Sequence, residues 1–207
     1  MKKFLVLGSN SFTGSHFVNF LIENKIFVVG MSRSNERNKY FSPYYNNSKK
    51  KKFFKFFKLD LNKDQKKIIS TIKRYKPSYI VNFASQSMVA QSWENPIDWY
   101  KTNVIASIEF IEKIKNFKFI KKYTHVSTPE VYGETQMNMT ESENYFPSTP
   151  YAISRSCFDR HLMSIVKNYN FPAVLTRAAN VYGPHQELYR IIPVSYTHLR
   201  AHETLIY

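Results

Sequence analysis

The chain has 207 residues, enough for one full domain and the beginning of a second. An apolar fraction of 43% and an aromatic fraction of 16% suit a packed core, and no long uncharged apolar run suggests a transmembrane helix. The 30 Lys and Arg outnumber the 15 Asp and Glu, which raises the question of a polyanionic partner. The abundant residues, Lys, Asn, Ile, Phe and Tyr, share A/T-rich codons, and that bias accounts for the charge without nucleic-acid binding. A single cysteine, Cys157, rules out an internal disulfide and any cysteine-cluster metal site, and fits a reducing cytoplasm.

In chain order, Lys2 to Leu7 reads as a buried strand. Its two lysines imitate a signal peptide, but the apolar stretch ends at Gly8, short of the usual hydrophobic region. The turn GSNSFTG follows at 8–14, then a helix from about Ser15 to Asn24 and a second strand, IFVVG, ending at Gly30. Such a compact strand, helix, strand unit calls for parallel strands joined by a right-handed crossover.

The segment KKKKFFKFFK at 49–58 sets aromatics beside a cationic track, and Lys55 to Leu59 reads as a third strand. Gln65 to Tyr75 reads as a helix and Tyr79 to Phe83 as a fourth strand before a polar loop. A helix over Thr102 to Asn116, a strand over Tyr123 to Ser127, a helix over Tyr151 to Tyr169 and a strand over Ala173 to Thr176 complete the alternation. The pattern predicts an α/β fold with a doubly wound parallel sheet, whose ligands bind beyond the carboxyl ends of the strands.

The loops at those ends carry the informative residues. Gly8 and Gly14 bracket the first strand-to-helix turn, where glycine lets a backbone approach a pyrophosphate and the helix start offers free N–H groups. Of five glycines, four (Gly8, Gly14, Gly133 and Gly183) fall at predicted strand-end turns. In PSTPYAISRS at 147–156, Thr149 suits a cap and Pro150 a first helical position, so Tyr151 and Arg155 lie one turn apart on one face. Moving a tyrosine from ~10 towards neutrality takes ~4 kcal/mol, more than any surface pair supplies. The pair is therefore chemically meaningful only inside a buried site.

The stretch VSYTHLRAHET, Val194 to Thr204, breaks the character of the chain. His198 and His202 have metal-pair spacing, but the string resembles the translation of a transposon-type sequencing-library adapter, so no metal site is assigned. Residues 194–207 are read as a non-native tail, with the natural frame lost near Pro193 and the C-terminal part missing.

Together, GSNSFTG at 8–14, LDL at 59–61, NFAS at 82–85, STPEVYG at 127–133, PYAISR at 150–155 and NVYGP at 180–184 resemble the extended short-chain dehydrogenase/reductase family. QSMVAQSWENP and STPEVYG look most like the nucleotide-sugar 4,6-dehydratases acting on dTDP-glucose or GDP-mannose. The resemblance implies a Rossmann-like NAD(P)-binding domain over residues 1–193 with the start of a substrate-binding part, a tightly bound NAD or NADP, a sugar-nucleotide substrate, and a homodimer when full length. Neither a nucleic acid nor a membrane is an expected partner. It implies that Gly8, Ser11, Phe12 and Gly14 line the pyrophosphate, that Asp60 and Leu61 contact the adenine, and that Phe83, Ala84 and Ser85 flank the cofactor. Ser87 and Asn180 would face the sugar nucleotide, with His185 nearby.

In the implied mechanism Tyr151 accepts the proton of the sugar 4-hydroxyl while the nicotinamide takes the C4 hydride, and Thr128 hydrogen-bonds the developing carbonyl. Glu130 removes the C5 proton, water leaves from C6, and the hydride returns there. Arg155 holds the nicotinamide ribose and stabilises the phenolate. Three positions depart from the family pattern: Arg155 stands where lysine is usual, Ser11 replaces the middle glycine of the turn, and Pro129 replaces the aspartic acid that protonates the leaving hydroxyl in the glucose-specific enzymes. Pro129 weighs against dTDP-glucose and leaves a GDP-mannose dehydratase, a sugar decarboxylase or an epimerase open, and the three departures together leave a non-catalytic cofactor-sensing module open. After the second strand, Ser32 and Arg33 stand where a ribose-binding acid is expected, which suits a 2′-phosphate and NADP. The chain itself, lacking its C-terminal part, is expected to turn over little substrate.

Overall fold

The computed structural model describes residues 2–134 and 140–203. Strand β1 (Lys3–Leu7) leads into helix α1 (Phe12–Glu23), followed by β2 (Phe27–Ser32), a one-turn helix α2 (Lys50–Phe53), β3 (Phe54–Lys58), α3 (Gln65–Tyr75) and β4 (Tyr79–Asn82). Two short helices, α4 (Val89–Glu94) and α5 (Pro96–Trp99), run into a π-helical segment (Tyr100–Ala106) and α6 (Ser107–Ile114). Then come β5 (Lys122–Ser127), a 3-10 turn (Pro129–Tyr132), α7 (Pro150–Tyr169), β6 (Ala173–Arg177) and α8 (Ile191–Glu203). The six strands are all parallel in the order β3-β2-β1-β4-β5-β6, a Rossmann-like doubly wound sheet.

Alternation along the strands builds two cores. Leu5 and Leu7 of β1, with Val29 and Met31 of β2, meet Ile68 and Ile72 of α3, Phe110, Ile111 and Ile114 of α6, and Phe158, Leu162 and Ile165 of α7. The intervening residues Val6 and Val28 face the other side, against Val18, Leu21 and Ile22 of α1, with Tyr44 and Phe54. Strand β3 is a sheet edge, and its Lys55 and Lys58 are exposed there. Charged side chains on an edge discourage pairing with another chain, which gives this part of the lysine run a structural reason.

The strand order reverses between β1 and β4, so their following loops meet. A Cβ on Gly8, whose φ is +74°, would lie 2.7 Å from the Ala84 amide nitrogen after β4. Helix α1 starts at Phe12, three residues before the sequence-based expectation, because Ser11 caps it: its Oγ accepts from the Gly14 N–H at 3.0 Å. The helix expected over 102–116 is instead a π-helical segment followed by α6, and the polar loop expected after β4 contains α4 and α5. Helix α8 covers much of the stretch with deviant composition, and residues 204–207 lie outside the described residues. Among the described residues, no helix is long and apolar enough to cross a membrane.

Candidate functional site

A cleft of about 650 Å³ opens where the chain leaves β1, β2, β3 and β4. Its wall takes Gly8, Asn10 and Ser11 from the first loop, Ser32, Arg33, Ser34 and Arg37 from the second, Asp60 and Leu61 from the third, and Ala84 and Ser85 from the fourth. The turn at its base is tightly built. The Ser11 N–H donates to the Gly8 carbonyl at 2.9 Å, and a Cβ on Gly14 would come within 2.3 Å of that same oxygen. Ser11 has φ −67°, an ordinary conformation, so serine fits where the family pattern has glycine. The backbone cradle and the start of α1 give a diphosphate both close approach and unshared N–H groups.

Asn10 joins this turn to the loop after β2. Its backbone N–H donates to Ser32 Oγ at 2.9 Å, and its side-chain amide donates to the carbonyl of Asn35 at 2.7 Å and of Ser34 at 3.2 Å. Arg33 is exposed on the cleft wall, and Arg37 is ion-paired with Glu187. Asp60 shapes its own loop, accepting from the Asn62 N–H at 2.8 Å while its N–H donates to Asp64 Oδ2 at 3.0 Å; that amide, with Lys67, holds the Asp64 carboxyl below the usual range. The Phe83 ring turns away from the cleft into the α1 core, 5.8 Å from Phe17, and only its backbone meets Gly8. Phe12 packs edge-on against His16, with Gly183 close to its ring. Ser87 and Asn180 are exposed in the loops after β4 and β6. His185 accompanies them on the β6 side, where its Nδ1 lies 3.0 Å from the Tyr40 carbonyl.

The second half of the site gathers around the amino end of α7. Thr149 Oγ1 accepts from the Ala152 N–H at 3.1 Å, and Pro150 occupies the first turn. Tyr151 is 8% exposed and Arg155 3%, one turn apart on α7. The Tyr151 N–H donates to Ser92 Oγ at 3.2 Å, which ties α7 to α4. The Arg155 guanidinium turns inwards to donate to the Val126 carbonyl of β5, and its Nε has no partner.

Thr128, 5% exposed, follows β5 and caps the 3-10 turn, its Oγ1 accepting from the Glu130 N–H at 3.3 Å. That turn packs against α7. Partial burial raises the Glu130 carboxyl above the ordinary glutamate value, a direction that suits a proton acceptor. Pro129 occupies the first helical position of the turn and offers no side-chain proton.

Several buried polar residues in the site have no counterpart among the sequence-based candidates. Asn103, 1% exposed in the π-helical segment, grips Gln86 by both backbone groups and donates to Ser154 Oγ at 3.0 Å. Asn82, at the end of β4, accepts from the Ala84 N–H at 2.9 Å and donates to the Tyr123 hydroxyl at 3.0 Å. Asp159, one turn after Arg155, accepts from Ser127 Oγ at 2.6 Å. A polar residue on the buried stripe of an apolar helix was the available signal for Asn103 and Asp159.

The sequence profile of the family described as GDP-mannose 4,6 dehydratase matches residues 5–204. The dTDP-glucose 4,6-dehydratase of Haemophilus influenzae is 27% identical, aligned over 94% of this chain and 60% of that protein. A dTDP-glucose 4,6-dehydratase from Streptomyces venezuelae, solved with NAD bound, superposes with a TM-score of 0.83 at 26% identity, over 96% of this chain and 62% of that one. A UDP-N-acetylglucosamine 4-epimerase from Methanobrevibacter ruminantium superposes with a TM-score of 0.82 at 28% identity, over 97% and 63%. The chain thus spans about six tenths of the length of these relatives.

Proposed function

The chain belongs to the GDP-mannose 4,6 dehydratase family, and from that premise we propose that the whole protein is an NAD(P)-dependent nucleotide-sugar 4,6-dehydratase. The observation that carries this reading is the burial of Tyr151 and Arg155 at the head of α7, packed against the turn that holds Thr128 and Glu130. The glycine-built cradle fits a dinucleotide diphosphate, since a Cβ at Gly8 or Gly14 would fill it.

A bound nicotinamide would supply the hydride acceptor for C4 and the hydride donor for C6. Tyr151 takes the proton of the 4-hydroxyl, and Thr128 donates a hydrogen bond to the oxygen that becomes a carbonyl. The 4-keto group acidifies C5, and Glu130 accepts that proton. With Pro129 in place of an acid, Glu130, now protonated, is the acid available in this turn for the hydroxyl leaving C6; after the hydride returns to C6, a proton from solvent completes C5 and Tyr151 releases the proton it took. Arg155 supplies a buried positive charge one turn from Tyr151 on the same helix. Gly8, Ser11 and Gly14 hold the diphosphate, Asp60 and Leu61 the adenine side, and Ala84 and Ser85 the flank. Ser87 and Asn180 meet the sugar nucleotide. Arg33 and Ser34 on the cleft wall support a 2′-phosphate and hence NADP.

Pro129 favours a second reading, sugar-nucleotide 4-epimerisation, which needs the Thr128, Tyr151 and Arg155 set but no acid for a leaving hydroxyl. Incubating the protein expressed from the uninterrupted gene with dTDP-glucose, GDP-mannose and UDP-glucose separates the two by NMR. A 4-keto-6-deoxy product supports dehydration, and a C4 epimer supports the second reading. Tight dinucleotide binding without any turnover sinks both and leaves a sensing module.

The composition of residues 194–207 supports reading them as adapter-derived, even though the family profile runs to residue 204; the coding DNA across that stretch tests it. Exposed Ile105, Ile153 and Met163, on neighbouring helical segments, support a homodimer, which sedimentation measures.

A further inference from the structure

Between β5, β6 and α7 lies a buried set of charged groups that the proposed reaction does not use. Asp159 is 0% exposed, one turn beyond Arg155 on α7. Its Oδ2 accepts from Ser127 Oγ at 2.6 Å and from Arg177 Nη2 of β6 at 3.4 Å, and its Oδ1 has no hydrogen-bond partner. Arg177 also donates to the Tyr145 hydroxyl, and its guanidinium lies 5.1 Å from the Tyr132 ring centroid and 5.2 Å from that of Tyr145. Ser127 precedes Thr128 in the chain, and Tyr132 ends the turn that carries Glu130. One carboxylate is thereby linked to every segment that bears a proposed reacting group.

Burial raises the Asp159 carboxyl above its ordinary value, opposed by Ser127 and the guanidiniums, and buried ion pairs are often replaceable by apolar side chains without loss of stability. What an apolar residue would not provide is negative charge beside Arg155. The charged and titratable groups facing Asp159 are Arg155 on its own helix, Arg177 on β6, His125 on β5 with Nε2 at 4.0 Å, the buried Tyr123 of β5, and Tyr145 through Arg177. Burial keeps His125 neutral, so Arg177 is the cation paired with this carboxylate, while Arg155, one turn back on α7, turns to the adjacent Val126 carbonyl of β5.

We infer that Asp159 is a positioning residue, which holds the Thr128 and Glu130 segments against α7 and balances the Arg155 cation, so that the charge reaching Tyr151 is set from two turns farther along the helix. This inference rests on the reading of Tyr151 as a proton acceptor. Asp159→Asn keeps the size and an acceptor oxygen for Ser127 and Arg177 but removes the charge, leaving Arg155 uncompensated. Arg177→Gln does the opposite, leaving Asp159 with one cation fewer.

The test is ionisation of residue 151 in the 3-fluorotyrosine-labelled full-length chain, followed by fluorine NMR with the resonance assigned by its loss in Tyr151→Phe. The expected result is a titration midpoint lower by about half a pH unit or more in Asp159→Asn and higher by a similar amount in Arg177→Gln, with thermal melting recorded alongside. An unmoved midpoint in a folded Asp159→Asn overturns the inference, whatever happens to the melting temperature. Should that variant not fold, an unmoved midpoint in Arg177→Gln overturns it equally. Because no sugar nucleotide is needed, this outcome is read separately from whether the protein dehydrates its substrate.

Discussion

The side-chain amide of Asn103 closes a two-point clamp on Gln86, accepting from its N–H at 2.8 Å and donating to its carbonyl at 3.0 Å. The same amide reaches Ser154 Oγ, which in turn donates to the Tyr151 carbonyl at 2.7 Å. One side chain in a π-helical segment therefore couples the loop after β4 to the helix that carries Tyr151, in keeping with the tendency of such segments to sit at functional sites.

Asn103→Ala removes three hydrogen bonds and leaves buried partners unmet. The expected loss is about 2 kcal/mol of unfolding free energy, read from the shift of the urea midpoint at constant slope.

Gly14→Ala forces the phenomenon at the other end of the cleft. Its new carbon would lie 2.3 Å from the Gly8 oxygen and 2.7 Å from Ser11 Oγ, so the cradle must shift. Dinucleotide affinity is expected to fall by about 100-fold, ~2.7 kcal/mol, in a fluorescence titration. Ser11→Gly removes a cap that costs only a few tenths of a kcal/mol to replace, and affinity is expected to change by less than about threefold.

His125 is fully buried between Tyr123 and Phe158, and burial holds it neutral, well below the ordinary value of 6.5. In the unfolded chain it binds a proton below about pH 6.5. The unfolded state then holds more protons than the native one, so stability present above that pH is lost as pH falls, by up to about 1.4 kcal/mol per unit. His125→Phe is expected to flatten this dependence between pH 6.5 and 5, compared by urea unfolding at each pH.

Glu130→Gln keeps the 3-10 turn and its Thr128 cap but abolishes a proton acceptor. The expected loss is about 10²- to 10⁴-fold in kcat with dinucleotide affinity unchanged. Since burial lifts the carboxyl above 4.5, the acid limb of the wild-type rate profile is expected to lie above that value and to vanish in the variant.

Much of this architecture is legible in the sequence because strand cores and helix faces repeat at different periods. The run FLVL, the PSTPYAISR start of α7 and the glycines of the first turn each state their role locally. Helix α1 begins earlier than its apolar pattern because Ser11 reads as a turn residue, yet its hydroxyl serves as a cap. The clamp at Asn103 and the Asp159 cluster depend on partners 17 and 18 residues away, Gln86 and Arg177, and although a polar residue on a buried stripe flags the two positions, no local pattern names those partners.

The first turn has one more consequence. Its shape comes from bonds wholly internal to the protein: Ser11 to Gly8, Gly14 to Ser11, and Asn10 to the neighbouring loop. A receptor already set in this way loses little chain freedom when a guest arrives, so capture should be limited by encounter and desolvation rather than by a slow rearrangement. Stopped-flow traces would then show a single phase whose rate grows linearly with nucleotide concentration.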